Sequence, residues 1–177
     1  MKDDSIDKRA VGYYTEINVF DKKDEIVELL KPFNPTIHTN AEKDFDYLPD
    51  EGVSIIVLRD EEEVLYVDLE GEITLGIGGW HTHYAPYLID YNMFKETLTG
   101  IIAGRVCAVC IKCRGEWMLS FITDETEVSE QELVRQTSNQ LSAEEFRKKL
   151  NKYGFSIQCS FLDSSKDRLF TVEQNRL

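Results

Sequence analysis

Glu63-Val64-Leu65-Tyr66-Val67-Asp68-Leu69, then Glu70-Gly71, then Glu72-Ile73-Thr74-Leu75-Gly76-Ile77 is the stretch that decides the fold. Apolar residues alternate with polar or aromatic ones on both sides of a two-residue Glu-Gly break. Period-two alternation about such a break marks two antiparallel strands and a tight turn. Val53–Leu58 precedes it as a buried-type strand, and the acidic run Asp60-Glu61-Glu62-Glu63 reads as the tip of another hairpin. Downstream, Val106–Lys112, the turn Arg114-Gly115 and Glu116–Ile122 repeat the same grammar. Phe155–Leu162 and Arg168–Val172 form a last pair across Asp163–Asp167.

Helical spacing is confined to a few segments. Ile26, Val27, Leu29 and Leu30 give one apolar face over residues 22–31, with Asp21 as a cap and Pro32 and Pro35 beyond the end. Asp90–Ala103 is the longest helical pattern, closed by Gly104. Ser129 with Glu132, and Ser142 with Glu145, are capping boxes that open two shorter helices. Val11–Phe20 reads as a strand, residues 36–52 as a polar loop, and residues 1–10 as a frayed end. The expected order, β-α-β-β-β-α-β-β-α-α-β-β, has hairpins in place of repeated βαβ units. It implies an α+β fold, a largely antiparallel sheet with helices packed against it, in one globular domain spanning 1–177.

The balance of 33 acidic against 20 basic residues gives a net charge of −13. Nucleic-acid binding, which needs a basic footprint, is not expected, whereas association with a basic partner would be accelerated. No apolar run approaches a membrane-spanning length and no secretion signal opens the chain, so the expectation is a cytoplasmic protein with no membrane partner. The cysteines, Cys107, Cys110, Cys113 and Cys159, are then expected as reduced thiols.

Four features could carry chemistry. Trp80-His81-Thr82-His83-Tyr84 follows Gly78-Gly79 and places two imidazoles at i and i+2, on one face of an extended strand. They could serve a metal or acid–base chemistry, although zinc would require further ligands. They could equally be part of an end-of-strand cluster, or of a contact surface anchored by the aromatics. The second feature, Cys107-x-x-Cys110-x-x-Cys113, has zinc-like spacing but lies in a strand. There Cys107 and Cys113 face one side and Cys110 the other, which favours core packing. The third, Gly76-Ile77-Gly78-Gly79, fails the dinucleotide-binding spacing and reads as a bulge or a close backbone approach, with the strand running on through it. The fourth is the carboxylate supply: Asp60–Glu63, Asp68, Glu70, Glu72 and Asp124-Glu125. These read as solvated hairpin tips.

The segment from Leu65-Tyr66-Val67-Asp68-Leu69-Glu70-Gly71-Glu72 through Gly79-Trp80-His81-Thr82-His83-Tyr84, Tyr91 and Gly115-Glu116-Trp117 resembles a group of small uncharacterised bacterial proteins. Some of these resemble immunity partners of polymorphic toxins. The resemblance covers roughly residues 63–122 and brings no catalytic residues with it. It implies a cytoplasmic, non-enzymatic binding protein that neutralises a basic toxin domain. The expected partner contacts are Trp80, His81, His83, Tyr84, Asp60, Glu61, Glu62 and Glu63, with no catalytic residues, metal or cofactor. The alternative is a metal-binding protein or hydrolase-like enzyme centred on His81 and His83.

Overall fold

The computed structural model of the chain describes residues 14–59, 62–141 and 144–177, and of Glu63 the backbone alone. The fold is α+β, with helices packed against antiparallel sheets. In chain order the elements are α1 (Lys23–Leu30), β1 (Thr36–His38), β2 (Val53–Arg59), β3 (Glu62–Leu69), β4 (Ile73–Ile77), β5 (Trp80–Tyr84), α2 (Leu88–Ile102), β6 (Val106–Cys113), β7 (Glu116–Asp124), α3 (Glu130–Gln140), α4 (Glu144–Tyr153), β8 (Phe155–Ser160) and β9 (Arg168–Val172). The strands form two sheets, β1-β2-β3-β4-β5 and β7-β6-β8-β9. Two compact units result: one comprises the chain up to Gly76 with His81–Thr99, the other Ile77–Trp80 with Gly100–Leu177.

In the first unit, alternation sorts the five-stranded sheet into two faces. Ile55, Leu65, Val67, Leu69 and Leu75 are fully buried on one of them, as are Ile26 and Leu30 of α1 and Phe94 and Leu98 of α2. Each such side chain contributes roughly 1.5–3 kcal/mol on leaving water. In the second unit, Cys107, Val109, Ile111 and Cys113 of β6 share a core with Leu133 of α3, Leu150 of α4, and Ile157 and Cys159 of β8.

Several expectations need correction. The strand over Val11–Phe20 lies partly outside the described residues. From Tyr14 onward it reduces to an isolated bridge, Glu16 with Tyr87. The Asn18 side chain ends it by accepting the Phe20 N–H at 3.1 Å, a local bond that competes with strand pairing. A 3-10 turn over Phe20–Lys22 then leads into α1, whose N-cap is Lys22, so Asp21 does not cap it. The polar stretch 36–52 contains β1, a three-residue edge strand paired with β2. Gly78-Gly79 is a turn between β4 and β5, with Gly78 at φ +55°, where a side chain would be strained. The Ser129 cap forms as expected, its hydroxyl accepting the Glu132 N–H at 3.3 Å. The Ser142 cap lies outside the described residues. No described helix is long and apolar enough to cross a membrane.

Candidate functional site: the polar face of the five-stranded sheet

Cross-strand partners share a face, so the register of the first three strands defines rows. His38 of β1 pairs with Ser54 of β2, and Ser54 with Asp68 of β3. One step along, Thr36 pairs with Ile56, and Ile56 with Tyr66. The face continues onto β4, because a Cβ at Gly76 would stand only 2.1 Å from the Tyr66 ring. Glycine there lets the ring lie directly on the backbone. On β5 the same face carries the histidines: His83 Nδ1 lies 3.0 Å from Thr74 Oγ1 of β4. This face therefore presents a polar and aromatic surface, whereas the opposite one is aliphatic.

Part of the face is roofed by the segment after β1. The Phe45 ring stacks on His38 at 4.4 Å between centroids and stands 6.4 Å from Tyr47. His38 is itself held by Glu42 at 2.7 Å and by Thr36 at 2.9 Å. The Tyr47 hydroxyl donates to Asp68 Oδ2 at 3.2 Å. Asp68 is only 7 % exposed, and among the described residues its Oδ1 has no hydrogen-bond partner. Burial pushes the Asp68 carboxyl above the ordinary range, and the charge of Glu70 adds to the effect. Hydrogen bonds from Ser54 and Tyr47 oppose it. Burial, followed by the Asp68 charge, pushes the Tyr47 phenol up to about 12.

Where β4 and β5 meet, the face opens to solvent. The rings of His81 and His83 are 5.6 Å apart, edge to face, and both side chains are exposed. Thr74 donates its single hydroxyl proton to Glu70 Oε1 at 3.0 Å, so toward His83 it accepts. Glu72 Oε1 also lies 2.9 Å from His83 Nδ1. Two acceptors around Nδ1 place a proton on that nitrogen. Glu70, Glu72 and His83 bring three potential ligand atoms within 4.8 Å of one another, the group of this kind among the described residues. A cation bound through Nδ1 would displace that proton.

The remaining expected contacts separate. Tyr84 is 7 % exposed and packs edge-to-face on Phe94 at 5.6 Å, so it belongs to the core of the first unit. Trp80 is half-buried and belongs to the second unit. Glu62 is exposed at the start of β3, whereas Asp60, Glu61 and the side chain of Glu63 lie outside the described residues. The cysteines are free and buried. The hydrogen bond with the neighbouring Cys159 thiol, followed by burial, raises the Cys107 thiol far above its usual range, so it stays protonated. Asp68, placed among the solvated tips by the sequence, instead sits inside the sheet. Its position two residues after Tyr66 within an apolar strand was the available signal. Tyr47, Phe45 and His38 carried none, since their roles depend on a loop folding back over β2 and β3.

Comparison with known proteins returned no match to a family model, a curated protein or a solved structure.

Proposed function

We propose that this is a non-enzymatic binding protein that captures a basic protein partner on the polar face of its five-stranded sheet, in the manner of an immunity protein neutralising a toxin domain. The observation that carries the reading is that lysine and arginine do not match the acidity of that face. Among the described residues, neither Asp68, Glu70 nor Glu72 is ion-paired to a lysine or arginine, in a chain of net charge −13. Such a surface attracts positive charge from a distance and raises association rates. His81 and His83 extend it at exposed positions. The proposal includes a cytoplasmic site of action, which the four free thiols support.

Calorimetric titration against the product of the neighbouring reading frame tests it. Micromolar or tighter binding that weakens steeply with added salt is the expected result. Absence of heat at low ionic strength, where attraction is least screened, overturns it.

The Glu70–Glu72–His83 grouping supports a second reading, a metal-binding protein. Stoichiometric metal in tag-free protein, lost on His83→Ala, would favour it. Substoichiometric metal together with melting unaffected by EDTA would remove it.

A further inference from the structure

Buried carboxylates are normally ion-paired or hydrogen-bonded at both oxygens. Asp68 has one hydrogen-bonded oxygen, a second without a partner and, among the described residues, no cationic neighbour. It forms one wall of a hollow of about 270 Å³ whose other walls are Phe45, Tyr47, Ser54, Ile56 and Tyr66. Drug-sized ligands occupy pockets of roughly 300–1,000 Å³, so this one suits a smaller group.

The walls define the chemistry of that group. Three aromatic rings offer negative potential at their faces, which attracts cations. Ser54 and Tyr47 offer hydroxyl oxygens, and Asp68 offers a carboxyl group. Among the described residues no basic side chain lines the hollow, so an anion finds no counter-charge there. Ile56 provides an apolar surface for a methylene stem. A guanidinium would need both carboxylate oxygens for its fork, and Tyr47 already occupies one of them; an ammonium needs a single strong acceptor.

We propose that this hollow is a receptor for a primary alkylammonium group, the side-chain end of a lysine presented by the protein partner. The inference deepens the function proposed above, and rests on it only for the lysine being carried by a protein. The cation supplies the charge partner that Asp68 lacks. The titratable groups facing the site are Tyr47 from the loop, Tyr66 and Glu70 from β3 and its end, and His38 behind Phe45. Of these, Glu70 reinforces the preference for positive charge.

The test is an NMR titration of the full chain with n-butylammonium, with n-butanol as a neutral match, and with a short acetylated, amidated Gly-Lys-Gly peptide. Saturable shifts at Phe45, Tyr47, Ser54, Tyr66 and Asp68 are expected with the amine, and binding at least about tenfold weaker with the alcohol. Asp68→Asn preserves shape and is expected to weaken amine binding about tenfold. Should that variant misfold, Tyr66→Leu removes one ring and is expected to cost about threefold. Equal binding of alcohol and amine, or no saturable shift with either, overturns the site. Peptide binding tighter than free amine supports a protein-borne lysine, and the reverse overturns that part in favour of a free amine. The two proposals also fail separately. Partner capture unaffected by Asp68→Asn refutes this site alone. Amine binding without capture of any basic partner refutes the broader function.

Discussion

The two sheets treat buried polar groups differently. In the four-stranded sheet and its helices, Thr137 donates to the Leu133 carbonyl at 2.7 Å, Thr123 to Glu127 at 3.2 Å, and the Cys113 thiol to the Gly154 carbonyl at 3.4 Å. In the five-stranded sheet Ser54, Asp68 and Thr74 are equally hidden, yet among the described residues Asp68 keeps an oxygen without a partner. Both sheets show the same period-two alternation, so pattern alone does not distinguish them. Satisfied polar burial stabilises one arrangement, whereas unsatisfied burial costs stability and reserves a place for something else.

Five substitutions break or sharpen this contrast. Phe161→Ala removes one of the largest fully buried side chains of the four-stranded unit, and urea denaturation should show a loss of about 3–5 kcal/mol. A much smaller loss would mean that this core is not the close-packed half. Gly76→Ala forces the Tyr66 ring off the backbone of β4, at a cost of about 1–3 kcal/mol and with a changed near-ultraviolet dichroism signal. Asp68→Asn should leave stability at neutral pH within about 1 kcal/mol of wild type, equal or higher, because it removes a buried charge without changing shape. The sign follows from the raised carboxyl: the folded state holds that proton more tightly, so wild type loses stability as pH rises through the raised value. Any advantage of the variant should therefore vanish once pH falls below the ordinary carboxyl range, as paired denaturation curves at neutral and acid pH would show. The smallest effects belong to His81→Ala and His83→Ala. Both side chains are exposed, and the His83–Glu72 pair is about half solvated, so each variant should melt within about 0.5 kcal/mol of wild type. Unfolding of either would place the histidines among the supports of the fold.

The hairpin over residues 63–77 was legible because alternation and turn chemistry agreed there. Gly78-Gly79 was not, since two residues without side chains carry no alternation and let the strand pattern run on through a reversal. β1 was missed because three residues are too few to show a period, and its pairing with β2 is decided across the intervening loop. Within Trp80–Tyr84 the i, i+2 rule correctly grouped the two histidines. It also puts Trp80, Thr82 and Tyr84 on the other face, which explains why Tyr84 turns inward against Phe94. The environment of Asp68 was beyond sequence reasoning, because Phe45 and Tyr47 reach it from more than twenty positions away in the chain.

The distribution of thiols has a practical consequence. Cys107, Cys110, Cys113 and Cys159 are all free, all buried and all in the second unit, while the hollow beside Asp68 belongs to the first. A thiol reagent therefore reacts only when the second unit opens, and its labelling rate becomes a clock for that event. Native thiols thus report on the second half of the chain, and ligand-induced protection there can be read without attaching a dye.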